Sequence, residues 1–335
     1  MTQNHLRIVI AYTLPSLLLL HPVHAQRIYW TISGEHRIQR ADLDGSHIED
    51  LLVMSGAYWP TAIALDLNVG KMYWTDGSGG GIYRANLDGS GFEDVLFYSD
   101  ELPFGIALDL IRRKVYWTYG SPGGGVRRAD LDGTNIETVY VTSNGVDPHA
   151  IALDQRAGKM YWTEPFAQII RRANLDGTKV QTLLSTEYPL LPWAIALDVA
   201  RGRMYWTVGE ANESVPGRIQ RSNLDGTNVE DLLSLGQDVA IDMDIDAQGG
   251  KIYWVETHKI RRANLDASRV EDIVTPTGVE SPSGIALDVP ASIPALSVWG
   301  AEAMILVLLV AGWAVIRHRS VEKEESDVLS SNVHP

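Results

Sequence analysis

The sequence predicts an all-β protein, a six-bladed β-propeller of four-stranded blades, closed by pairing the C-terminal strand with the N-terminal three strands. Three observations predict it. Tyr-Trp pairs recur at Tyr29-Trp30, Tyr73-Trp74, Tyr116-Trp117, Tyr161-Trp162, Tyr205-Trp206 and Tyr253-Trp254, spaced 44, 43, 45, 44 and 48 residues apart. That period suits a blade of four short strands. An Arg-Ala/Ser-Asp/Asn-Leu-Asp segment, usually followed by Gly, trails every pair, and Ile-Ala-Leu-Asp recurs at 63–66, 106–109, 151–154, 195–198 and 285–288, with Met243-Asp244-Ile245-Asp246 as a divergent sixth.

Taken in order, residues 1–25 read as a signal peptide. His5 and Arg7 precede an apolar run over 8–20, and Val23-His24-Ala25 offers the small residues a signal peptidase needs. The propeller occupies 26–290. It opens on a second strand at Arg27-Ile28-Tyr29-Trp30 and ends on an unpartnered first strand at 285–288, so joining the two completes the first blade and leaves no open sheet edge at the ends. Strands rich in aromatic and β-branched residues alternate with Gly, Pro, Asp and Asn turns. The Asp-Gly steps at Gly45, Gly89, Gly133, Gly177 and Gly226 supply left-handed backbone for tight hairpins between strands three and four. Residues 295–316 are apolar except for Glu302, long enough to cross a bilayer as one helix. Arg317, His318 and Arg319 follow, which places the C-terminus in the cytoplasm and the propeller outside. Within 291–319 the helix and its basic stop complete the anchor, and 320–335 is a short acidic cytoplasmic tail.

Composition sets limits on function. The 335 residues are 45% hydrophobic and 21% charged, a globular balance. A net charge of -14 has the wrong sign for binding nucleic acid. Cysteine is absent, which excludes disulfides, thiolate metal sites and cysteine nucleophiles.

Tyr73-Trp74-Thr75-Asp76 and its five variants resemble the YWTD (class B) repeat of low-density-lipoprotein-receptor-type six-bladed propellers, over 27–289. The motif's last position holds Ile32, Asp76, Tyr119, Glu164, Val208 and Glu256. The resemblance implies ligand binding by a propeller face, without the cysteine-rich modules that accompany such propellers in receptors. Ile293-Pro294-Ala295-Leu296-Ser297-Val298-Trp299-Gly300, with the apolar run and basic cluster behind it, resembles the IPTL-type sorting signal of Gram-negative bacteria. It implies a bacterial envelope or exterior location, with the helix either a temporary anchor removed on sorting or a permanent one.

One arginine and one aspartate recur per blade: Arg40, Arg84, Arg128, Arg172, Arg221 and Arg262, with Asp66, Asp109, Asp154, Asp198, Asp246 and Asp288. Catalysis does not need six copies, and half-buried charges need partners, so the expectation is structural Arg–Asp pairs within or between blades. The paired tyrosines and tryptophans are expected to fill the wedges between sheets.

Function is expected where the repeats disagree. The residue two before each Ile-Ala-Leu-Asp element is Thr61, Phe104, His149, Trp193, Ile241 or Ser283, around the channel mouth. Beside these stand Tyr58, Trp59, Asp100, Glu101, Asp147, Glu187 and Tyr188, and, from the loops between strands two and three, Glu164, Phe166, Glu210, Glu213, Glu256 and His258. An aromatic and acidic face suits a protein or peptide ligand, with a basic partner favoured. The alternatives are a calcium-dependent propeller hydrolase of the lactonase or esterase kind, with Asp238, Asp242 and Asp244 as oxygen ligands, and a structural envelope scaffold. There is no Gly-x-Ser-x-Gly element, phosphate-binding glycine loop or zinc-protease histidine pair.

Overall fold

A computed structural model describes residues 26–56, 58–97, 101–120, 123–142, 146–209, 215–275 and 281–289. The signal-peptide, sorting-signal, transmembrane and acidic-tail readings fall outside these residues. Among the described residues, no helix is long and apolar enough to cross a membrane.

Six four-stranded antiparallel sheets form the blades. Blade 1 joins Arg27–Ile32, Arg37–Asp42 and Glu49–Val53 to the inner strand Pro282–Asp288, which pairs with the first of these in register Arg27↔Asp288 through Trp30↔Ile285. The expected closure is therefore present. Blades 2 to 6 start on the inner strands Pro60–Asp66, Leu102–Asp109, Ile151–Asp154, Leu191–Asp198 and Asp242–Asp246. Each inner strand touches the next, around a complete ring.

The Tyr-Trp pair explains how the blades adhere. Neighbouring residues of a strand point to opposite faces of the sheet, so each Tyr faces one adjacent blade and its Trp the other. The six apolar clusters have this composition: Tyr29 meets Trp74, Tyr73 meets Trp117, Tyr116 meets Trp162, Tyr161 meets Trp206, Tyr205 meets Trp254, and Tyr253 meets Trp30. All six tryptophans are buried, each removing roughly 150 to 250 Å² from water.

The expected Arg–Asp pairing is not the arrangement found. Five of the six arginines lie directly across from a glutamate nine residues later on the outer strand: Arg40 bonds Glu49, Arg84 Glu93, Arg128 Glu137, Arg221 Glu230 and Arg262 Glu271. Gln181 takes that place opposite Arg172. The same guanidinium also donates to a leucine carbonyl of the next blade, Leu87, Leu131, Leu175, Leu224, Leu265 and Leu43 in turn, at 2.6 to 3.0 Å. The arginines thus bridge blades through backbone. The aspartates serve turns instead. Asp66, Asp109, Asp154, Asp198 and Asp246 accept backbone N–H groups two or three residues ahead, and Asp109 and Asp198 also pair with Arg112 and Arg201 in the same turns.

At the Asp-Gly hairpins, φ is +81° to +85° at all five glycines. A β-carbon on Gly133 would fall 1.9 Å from the Val95 carbonyl of the preceding blade, so the residue is fixed by interblade contact as well as by backbone conformation. Blade 6 departs from the pattern: Ala267 holds φ +66° there.

Candidate functional site: an aromatic pocket at the channel mouth

The repeat threonine positions the variable residues. Thr31, Thr75, Thr118, Thr163 and Thr207 donate their hydroxyls to the carbonyls of Thr61, Phe104, His149, Trp193 and Ala240 in the following blade. Each also accepts an amide from its own inner strand, from Gly284, Ala62, Gly105, Ala150 and Ala194. Register shifts at Pro60/Ile63, Pro103/Ile106 and Pro192/Ile195 mark bulges there, which turn Thr61, Phe104 and Trp193 out of the regular pleat. A repeated core residue thereby fixes the backbone of positions that differ from blade to blade.

These residues converge on a cavity of about 440 Å³, lined by Ser33, Trp59, Thr61, His149, Trp193, Gln237, Asp238, Val239, Ile241, Thr257 and Ser283. One wall is a run of rings. Phe104 stacks on His149 at 5.7 Å, His149 meets Trp193 edge-on at 5.2 Å, and Trp193 meets Phe166 edge-on at 6.1 Å. Trp59 and Phe166 are 51% and 71% exposed, so much of their ring surface is free for a ligand. Burial pushes the His149 imidazole down to about 4, leaving it neutral near pH 7. Its Nδ1 and the Trp193 Nε1 are buried with no hydrogen-bond partner among the described residues. Asp238 is the one carboxylate in the lining, 3.4 Å from Lys259.

Not every expected residue reaches this pocket. Glu164 and Glu256 are buried, so they do not belong to the exposed face. They accept the indole N–H groups of Trp162 and Trp254 at 2.9 and 2.7 Å, and pair with Arg171 and with Arg261 and Lys259. Two positions along a strand share one face, which lets the longer carboxylate reach back. Asp76, one methylene shorter, instead accepts the backbone N–H groups of Trp59, Ser78 and Gly79. Tyr58 turns inward, edge-on to Tyr83 and Phe92. Tyr188 is 81% exposed on the loop leading into blade 5, and His258 faces Ser281. Glu101 is held by Arg127. Asp100, Glu210 and Glu213 lie outside the described residues. Ser33, Gln237, Val239 and Thr257 line the pocket without having been expected; Gln237 and Val239 lie in the loop between blades 5 and 6, whose extra length is their sequence signal, and Ser33 and Thr257 lie in turns between second and third strands.

The three candidate metal ligands do not share a cavity. Asp242 and Asp244 line a second space of about 530 Å³ inside the channel, walled chiefly by Ala, Ile and Leu of the inner strands, whereas Asp238 lies at the mouth. Asp242 accepts the Ile285 amide at 2.8 Å and Asp244 the Leu287 amide at 2.9 Å. Blade 6 carries Val255 where five blades carry threonine. The two carboxylates thus link it to blade 1 in place of the missing hydroxyl. Burial pushes their pKa values up to about 7 and about 6. Among the described residues no group of three or more His, Asp or Glu side chains is arranged to hold a metal.

Fold and site together define a six-bladed propeller with an aromatic mouth. The Low-density lipoprotein receptor repeat class B family matches residues 26–67, 70–110 and 113–155, which are successive repeats in the first half of the ring. No curated protein sequence matches the chain. A solved structure described as "Crystal structure of Nidogen/Laminin Complex" is similar over 79% of this chain and 98% of that one, at 23% identity and a TM-score of 0.69. A virginiamycin B lyase from Staphylococcus aureus, in a catalytically inactive form with quinupristin, is similar over 78% of this chain and 85% of that one, at 16% identity and a TM-score of 0.59. At these identities the two structures share the propeller fold with this chain.

Proposed function

We propose that the protein is an exported, membrane-held binding protein without a catalytic role, whose mouth pocket takes a protein or peptide ligand with a basic segment. The observation that carries this reading is the convergence of Trp59, His149, Trp193 and, through ring contacts, Phe104 and Phe166 on one concave site. Rigid aromatic anchors in a pocket dominate the energetics of protein recognition. Asp238 in the lining and a net charge of -14 favour a cationic partner. A similarly folded propeller belongs to a nidogen/laminin complex, in keeping with a protein ligand. Export and anchoring rest on residues 1–25 and 295–319 of the sequence.

Selection of a random-peptide display library on the full chain tests the reading. Enriched peptides should be rich in Lys and Arg, and should lose at least tenfold in affinity for a folded Trp59→Ala/Trp193→Ala variant. Peptides that bind native and variant chains equally would remove the pocket from consideration.

A further inference from the structure

The opposite end of the channel has a different surface. Turns between the first and second strands of blades 2 to 6 span 67–70, 110–113, 155–158, 199–202 and 247–250. They contain four arginines, Arg112, Arg113, Arg156 and Arg201, and no acidic residue, in a chain whose net charge is -14. In blades 2 and 3 they also expose apolar side chains: Leu67 at 37%, Val69 at 54% and Ile111 at 61%. The described chain ends on this rim at Val289, which lines the channel together with Leu67, Asn68 and Leu110. Six residues further on, the 22-residue apolar run begins at Ala295. A chain extends about 3.5 Å per residue, so Val289 lies within about 20 Å of the start of that run. Where the run enters a bilayer, so short a tether brings the rim to the bilayer surface.

We infer that the rim formed by Leu67, Val69, Ile111, Arg113 and Arg156 rests on the phospholipid headgroup layer, which turns the aromatic mouth away from the membrane. This rests on the anchored reading proposed above. Arginine forks match phosphate oxygens, and small apolar tips next to cationic groups suit the boundary between headgroups and acyl chains. Arg112 and Arg201 are already paired with Asp109 and Asp198, whereas the Arg113 side chain is 64% exposed and its nearest carboxylate, on Asp66, stands at 4.0 Å. The hairpins between the third and fourth strands share this end and carry the exposed aspartates Asp44, Asp88, Asp132, Asp176, Asp225 and Asp266, so the cationic and apolar contact is confined to the inner turns of blades 2 to 4.

The absence of native cysteine permits a single-site test. Full-length Ile111→Cys and Tyr188→Cys variants, labelled with an environment-sensitive fluorophore, are mixed with phosphatidylcholine/phosphatidylglycerol vesicles carrying a spin-labelled lipid. The label at position 111 should shift to the blue and lose more than half its intensity, and the label at 188 should do neither. Adding Arg113→Glu/Arg156→Glu should cut the quenching at 111 several-fold while the chain still floats with the vesicles. Flotation with equal responses at both sites, or none at 111, overturns the rim and retains the anchor. Failure to float on any vesicle overturns both. A pocket that still binds its selected peptides in either case leaves the ligand reading intact.

Discussion

The guanidinium of Arg262 donates to the Leu43 carbonyl at 2.8 Å, joining residues 219 positions apart across the seam where the last blade meets the first. The same group bonds Glu271 at 2.7 Å, and burial in the interface is offset by these contacts. Equivalent bonds tie every other blade to its successor, so the seam repeats an ordinary interface.

Arg262→Ala should therefore destabilise the propeller by about 1–2 kcal/mol, the cost of lost hydrogen bonds and an unsatisfied carbonyl. Arg128→Ala, at an interface within the chain, should cost a similar amount. Urea midpoints of the two variants make the comparison, and a much larger loss at Arg262 would show the seam to be the weak point.

Replacing Glu256 by alanine strands the Trp254 indole N–H and leaves Lys259 and Arg261 without their buried counter-charge. Lys259 keeps Asp238 at 3.4 Å and Arg261 keeps Asp272 at 2.6 Å, so the loss is chiefly the unsatisfied indole N–H and the weakened ion pairs, about 1–3 kcal/mol. Thermal unfolding should register that loss, while peptides selected on the mouth pocket should bind the surviving folded fraction normally. Lost binding at unchanged stability would return Glu256 to the ligand face.

Ala267 occupies a left-handed position that glycine fills in five blades. Ala267→Gly should raise stability by about 1 kcal/mol through relief of backbone strain. Gly133→Ala should lower it by more, because its β-carbon also meets the Val95 carbonyl. Denaturant midpoints that move the two variants in the same direction would contradict this account.

The buried titrating groups act in opposite directions. Asp242 and Asp244 have folded pKa values of about 7 and about 6, above the ordinary 3.8, so the folded state holds the extra protons. Their contribution is complete below about pH 4 and is lost as pH rises through 7. His149 is lowered from 6.5 to about 4, so its contribution is present above pH 6.5 and is lost as pH falls through 4. An Asp242→Ala/Asp244→Ala chain should gain stability relative to the native chain between pH 4 and 7, by about 6 kcal/mol for the two shifts together at one pKa unit per 1.36 kcal/mol. His149→Gln should be relatively most favourable at the acidic end. Urea midpoints from pH 4 to 8 give both differences, and parallel curves for native and double-aspartate chains would remove the carboxylates as the source.

The period of the Tyr-Trp pairs made the blades and their closure legible, because both residues of the pair are needed at every interface. Partner choice was less legible. Arginine has two recurrent acidic candidates per blade, and the glutamate nine positions on prevails since it lies directly across the ladder, whereas the aspartate is occupied by its own turn. Glu164 and Glu256 sit where the motif carries a loop-capping aspartate, and one added methylene redirects the carboxylate to an indole. Trp-x-Glu was the available signal. The mouth aromatics were recognisable as positions where repeats differ. That Phe104, His149, Trp193 and Phe166 touch in series depends on bulges and threonine bridges that a single strand's pattern does not encode.

Arg27 and Asp288 face each other at one end of the ladder that closes the ring, so both chain ends depart side by side. Tension between the two ends would peel that ladder like a zipper, one hydrogen bond after another. Tension between the C-terminal side and a partner seated at the mouth runs along the inner strand and loads all its bonds together. The ring is mechanically directional: it yields readily to a pull between Arg27 and Asp288 and resists one that runs from Asp288 along the inner strand to the mouth.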